Sequence, residues 1–80
     1  MTKINQVRAA RGLIGWSQTQ LAEAAGLSLP TVKRFETDNG VKVSGDAVSK
    51  MVAALEAAGV EFIAENGGGA GVRLRKSMIN

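Results

Sequence analysis

The sequence has no cysteine, no histidine and no tyrosine, and only one proline, one tryptophan and two phenylalanines in 80 residues. Without cysteine there are no disulfides and no thiolate sites, which is compatible with a reducing, cytoplasmic setting. Without histidine as well, the usual zinc, copper and haem ligand sets are missing. The commonest general base and every histidine-containing triad go too. A carboxylate- or lysine-based enzyme is left on paper, but the sequence holds no Asp/Glu cluster and little chain for a closed pocket. No catalysis, no cofactor and no metal are therefore expected. Long apolar runs are also lacking. The longest, Met51-Val52-Ala53-Ala54-Leu55, falls far short of the roughly 20 residues of a spanning helix. Arg8 and Arg11 stand where a signal peptide needs its apolar core. No acid precedes Glu23, as in a transit peptide, but the helix caps below make that segment structural.

What charge there is lies unevenly. Residues 1–43 carry Lys3, Arg8, Arg11, Lys33, Arg34 and Lys42 against Glu23, Glu36 and Asp38, a net of +3. Residues 44–80 carry Lys50, Arg73, Arg75 and Lys76 against Asp46, Glu56, Glu61 and Glu65, a net of zero. The whole basic excess sits in the first half, and such an excess draws polyanions, whether nucleic acid or an acidic membrane surface.

One local device recurs three times. Ser17 is placed to cap a helix, with Gln20 as its reciprocal partner and Trp16 and Leu21 as the apolar staple. Ser28 repeats the pattern with Leu27 and Val32, and Pro30 falls in the first turn, where its missing N–H costs little. Ser44 is the third cap, between Val43 and Val48, with Asp46 near the positive end of the helix dipole. Gly26, Asn39-Gly40 and Gly59 follow the three runs as stops. Ahead of them, Ile4, Val7, Ala10 and Ile14 recur at helical spacing, which predicts a helix over about residues 3–12. Val48, Met51, Val52 and Leu55 share one face of the last helix.

After Gly59 the period changes to two. Val60-Glu61-Phe62-Ile63-Ala64-Glu65 and Val72-Arg73-Leu74-Arg75 alternate around Asn66-Gly67-Gly68-Gly69-Ala70-Gly71. This predicts a β-hairpin with Val60, Phe62, Val72 and Leu74 on one face and charged residues on the other. A lone hairpin is marginal in water, so it must pack on the helices or on a second subunit. Gly67-Gly68-Gly69-Ala70-Gly71 is read as a hairpin tip, because a phosphate-cradling loop leads into a helix and here a strand follows.

The second and third helices are joined by Gly26 and Leu27, a length that fits a helix-turn-helix crossing. Val32 and Phe35 then enter the core beside Leu21, Ala22 and Ala25. At 100° per residue, Pro30, Lys33, Arg34 and Thr37 turn outwards. Two cations, a hydroxyl and a short apolar tip suit a major groove, although two cations on a helix also suit plain solvent.

The stretch from Ser17-Gln18 through Leu21-Ala22, Gly26, Ser28 and Arg34 to Phe35-Glu36 resembles the helix-turn-helix of the phage Cro and repressor (XRE) family. Looser likeness runs from about Ile4 to Gly59. The resemblance implies a mainly α fold of four to five short helices, lambda-repressor-like, followed by the C-terminal β-hairpin. Residues 1–59 would form the DNA-binding domain, and residues 60–80 the hairpin and tail that make the dimer. Gln18 matches a phosphate-clamping position, and it equally suits a helix start. Leu29, Pro30 and Arg34 match base-reading positions, flanked by Ser28, Thr31 and Lys33, with Thr37 on the same face. Leu29 and Pro30 depart from the polar residues often found there and cannot hydrogen-bond base edges through side chains, and Pro30 also serves simply to start the helix. Lys42 and backbone amides would hold phosphates. Arg11 and Glu36 match a charged pair tying the first helix to the end of the third, with phosphate contact by Arg11 as the competing role. Trp16 is read as core or staple rather than as a base-stacking residue.

The expected function is that of a small dimeric repressor of bacterial or phage type, binding double-stranded DNA in the cytoplasm, associated with the nucleoid and not with a membrane. Val60, Phe62, Ile63, Val72 and Leu74 are the candidate dimerisation residues, with Ile63 foremost. The alternative is an antitoxin-like module whose hairpin binds a protein partner while the helices bind DNA.

Overall fold

Ile4, Val7 and Ala10 are buried and Ile14 half-buried, so the first apolar row forms one face of helix α1, Thr2–Ile14. The computed structural model describes residues 2–37, 43–64 and 67–75. Three further helices follow, α2 (Gln18–Ala25), α3 (Leu29–Thr37) and α4 (Gly45–Ala57), and then strands β1 (Val60–Ile63) and β2 (Gly71–Leu74). The expected stop at Asn39-Gly40 lies outside the described residues, as do Lys42, Glu65 and Lys76.

α1 runs past residue 12 because its stop is Gly15, with φ of 70°. The Trp16 amide returns to the Arg11 carbonyl at 3.0 Å. The same closure ends α2: Gly26, at φ 70°, lets the Leu27 amide reach the Ala22 carbonyl at 2.9 Å and its own amide reach Glu23 at 3.3 Å. Carbonyls that the helix leaves without partners are satisfied by this left-handed residue.

The three serine caps are all made. Ser17 Oγ accepts from the Gln20 amide at 3.1 Å, while Gln20 Oε1 accepts from the Ser17 amide at 2.8 Å. Ser28 Oγ accepts from the Thr31 amide at 3.2 Å, and Ser44 Oγ from the Ala47 amide at 3.1 Å. Each such cap stabilises its helix by about 1 kcal/mol.

The core draws on every element except β2. Leu21 of α2, Val32 and Phe35 of α3, Met51 and Leu55 of α4 and Val60 of β1 close around the α1 row, and all are buried. Val48, Val52, Phe62 and Val72 are half-buried against this cluster. In the antiparallel hairpin Val60 faces Leu74, Glu61 faces Arg73, Phe62 faces Val72 and Ile63 faces Gly71. Glu61 takes a two-point hydrogen bond from Arg73, at 3.1 and 3.2 Å, on the solvent side. Gly59, at φ 106°, turns the chain from α4 into β1, and its carbonyl accepts from the Arg75 amide at 2.7 Å.

Gln6 anchors this hairpin. It is buried on α1, and its Nε2 donates to the carbonyls of Ile63 at 3.2 Å and Gly71 at 3.0 Å, bridging the two strands from below. A buried amide with both protons used is stabilising, whereas an apolar replacement leaves the strand carbonyls short of a donor.

Two glycines make opposite predictions. An added Cβ meets nothing within 4 Å at either Gly12 or Gly26, but only Gly26 has a positive φ. Gly12→Ala should stabilise by about 0.5–1 kcal/mol through helix propensity and unfolded-state entropy. Gly26→Ala should destabilise by about 1–2 kcal/mol through the left-handed backbone alone. Urea unfolding of the two variants checks both signs.

Candidate nucleic-acid interface

α3 is amphipathic in the strict sense. Val32, Phe35 and Glu36 are buried, while Pro30, Lys33, Arg34 and Thr37 are exposed on the other side. Leu29 and Thr31 are half-buried at the amino end. Among the described residues no acid pairs with Lys33 or Arg34. The two cations therefore project from a rigid helix without an internal counter-charge. Ser28 is committed locally, since its Oγ caps α3 and shares a 2.8 Å hydrogen bond with Thr31 Oγ1.

The helix that carries this face is held by a charged network. Arg11 Nε and Nη2 donate to the two carboxylate oxygens of Glu36, each at 2.8 Å, and Nη1 donates to the Trp16 carbonyl at 3.0 Å. Gln18 Nε2 adds a third donor to Glu36, at 3.0 Å. One guanidinium thus joins α1, the α1–α2 turn and the end of α3, and α2 contributes through Gln18. The Glu36 side chain is only 4% exposed and that of Arg11 20%, so solvent screens the pair weakly. Burial pushes the Glu36 carboxyl up, but hydrogen bonds from Arg11 and Gln18 and the charges of Arg11 and Arg8 bring it below its ordinary range. The hydrogen bond to Glu36 outweighs burial and raises Arg11.

Arg8, which sequence reasoning did not single out, is exposed on α1 and lines a polar cleft with Arg11, Gln18, Glu36 and Thr37. Its signal in the sequence was the three-residue spacing to Arg11, which puts both on one helix face. The cleft lies beside the exposed end of α3, so Arg8, Gln18 and Thr37 border one polar surface.

Of the hairpin residues considered for dimerisation, Val60 is closed into the core of its own chain. Phe62 and Val72 are half-buried against the same core, Ile63 is half-buried on the other face, and Leu74 is 44% exposed.

The charged network sets a pH dependence. A carboxyl lowered by folding stabilises fully above its ordinary value, and the contribution disappears as pH falls through the depressed one. The difference in unfolding free energy between the parent chain and Glu36→Gln should therefore be largest near pH 7 and shrink towards pH 3. Arg11→Met, which strands the carboxylate, should cost about 2–4 kcal/mol at neutral pH, less than a fully enclosed pair would. A difference that stayed constant from pH 7 to 3 would mean that the Glu36 charge is immaterial.

Comparison with known proteins agrees with this geometry. The chain finds no match among curated proteins. The family model described as helix-turn-helix matches residues 7–62. Among the described residues no helix is long and apolar enough to cross a membrane. The matched span takes in most of α1, all of α2, α3 and α4, and β1 as far as Phe62. With its paired helices, its turn glycine and its Arg11–Glu36 tie, the chain belongs to the helix-turn-helix family of DNA-binding regulators, of the Cro/repressor (XRE) type.

Proposed function

We propose that this regulator is a small dimeric repressor that reads the major groove with α3. The observation that carries the reading is the exposed pair Lys33 and Arg34, unpaired among the described residues and held outward by the burial of Val32 and Phe35. Arg34 is the base-reading residue, because a guanidinium can grip guanine O6 and N7 together. Lys33 reaches guanine or phosphate, and Leu29 and Pro30 supply apolar contact of the kind a thymine methyl accepts. Gln18 and Arg8 flank this face and suit phosphates. One N–H of Gln18 Nε2 goes to Glu36, and the other, without a partner among the described residues, suits a phosphate oxygen. Thr37 and Lys42 extend the backbone-holding set, with Lys42 outside the described residues.

A single α3 reads only a few base pairs, so specific binding calls for two copies on half-sites about 34 Å apart. The hairpin is the dimer element. Occupancy of a promoter then suffices for repression. The other reading, an antitoxin-like chain whose hairpin takes a different protein, differs in one simple observable. It allows the isolated chain to be monomeric.

Arg34→Ala should weaken specific binding by about 1–3 kcal/mol and relax base preference at one position per half-site. Arg8→Ala should weaken binding to all sequences alike and lower the salt slope by about one. Quantitative binding to genomic fragments enriched by the parent chain checks both. An Arg34→Ala variant with unchanged affinity and preference would remove α3 from the reading role.

A further inference from the structure

Among the described residues the outer edge of β2 is unpaired, and its chemistry is matched to itself. The Arg75 amide bonds to the Gly59 carbonyl, so these two opposed residues form a hydrogen-bonded pair of the ladder. Antiparallel pairs alternate, which makes Glu61·Arg73 and Ile63·Gly71 the next hydrogen-bonded pairs. The N–H and C=O groups of Val72 and Leu74 consequently point away from β1. Among the described residues they meet no main-chain partner. An edge of this kind is a template for another strand.

Beside this edge lies a cleft of about 260 Å³ between α1 and β2, lined by Asn5, Gln6, Ala9, Ala70, Gly71 and Val72. Ala9 and Ala70 give it small walls. Leu74, on the same sheet face as Val72, is one of two large apolar residues exposed among the described residues, the other being Leu13, one turn beyond Ala9 on α1. The molecule thus carries a knob and a hole along one strand.

We infer that β2 pairs with β2 of a second copy, antiparallel about a two-fold axis at Val72, so that each Leu74 fills the partner's cleft opposite Ala70. This deepens the reading of the hairpin as the dimer element and rests on it. The register follows from two constraints. Only residues whose polar groups point outward can form the new hydrogen-bonded pairs, so Val72 and Leu74 must meet alternate residues of the partner strand. Within residues 70–75 four symmetric registers bring at least one of them onto such a residue, centred on Gly71, Val72, Arg73 or Leu74, and the first sets Leu74 opposite Gly68, away from Ala70. Centring on Arg73 sets the two Arg73 side chains face to face. Centring on Leu74 sets Arg73 against Arg75. Like charges directly opposed are destabilising. Centring on Val72 sets Arg73 opposite Gly71 and Leu74 opposite Ala70, so it is the one register that both keeps the arginines apart and seats the knob in the hole. The isologous geometry makes both contacts twice. The hairpin packs chiefly on α1 and α4, so the pairing leaves the outward face of α3 clear.

The absence of cysteine makes the register directly readable. In the proposed dimer Gly71 and the partner's Arg73 form a non-hydrogen-bonded pair, with Cα atoms about 4.5 Å apart and within disulfide reach. A Cβ at Gly71 meets nothing within 4 Å. An equimolar mixture of Gly71→Cys and Arg73→Cys chains should form a covalent dimer under mild oxidation, while each variant alone should not. Crosslinking of Arg73→Cys with itself would place the axis on Arg73 and overturn the register. In sedimentation, Leu74→Glu and Ala9→Leu should each weaken dimerisation at least tenfold with helix content unchanged, since Leu74 is exposed and leucine suits a helix at the exposed Ala9. A parent dimer that neither variant weakens would overturn the edge pairing while leaving some other hairpin contact as the dimer element. A parent chain that sediments as a monomer at micromolar concentration, with or without operator DNA, would overturn this pairing together with the dimer reading beneath it.

Discussion

The position of α3 depends on one buried carboxylate. Glu36 sits at the end of α3 and accepts three hydrogen bonds, two from Arg11 and one from Gln18. Arg11 donates from its third nitrogen, Nη1, to the Trp16 carbonyl, so the turn between α1 and α2 is fixed by the same guanidinium. Such an assembly is costly to desolvate and is a poor source of net stability. Its contribution is geometric. A planar two-point pair defines distance and angle together, which apolar contacts around Phe35 and Val32 do less sharply.

Around that tie, the fold uses inexpensive local devices. Three serine caps and two left-handed glycines set helix ends within a chain too small for a large core. A domain of this length buries only about 60–65% of its unfolded surface, so each cap is a sizeable share of the stability available. The hairpin is integrated in the same economical way. Val60 enters the common core, and Gln6 holds both strands by their carbonyls.

The helices were legible because their signals are local. Ser17 with Gln20, Ser28 and Ser44 announce helix starts within four residues, and 100° per residue sorts Lys33 and Arg34 from Val32 and Phe35 without tertiary information. Gly15 is an equally local signal and the apolar row reaches Ile14, yet the expected helix ends at about residue 12, two residues short of the end of α1. The Arg11–Glu36 tie joins positions 25 residues apart and came from family resemblance, since nothing in either helix alone predicts it. Gln6 was invisible for the same reason. A glutamine at a helical position reads as solvated until strands nearly sixty residues away supply its acceptors. The hairpin shows the limit of alternation. It places Val60, Phe62, Val72 and Leu74 on one face, but whether each is covered depends on where α1 and α4 end. Val60 is sealed and Leu74, directly opposite, is not.

Only Ala58 and Gly59 separate α4 from β1, and Val60 is already within the core. The hairpin is thus mounted and not tethered. Proteins that join a binding module to an assembly module through a flexible linker can absorb errors in target spacing as slack, at a cost in effective concentration. This chain has no such slack between its sheet and α4. Whatever engages the hairpin edge inherits a fixed bearing towards α3, so the spacing and angle of any two α3 helices joined through that edge would be set by the protein's own framework.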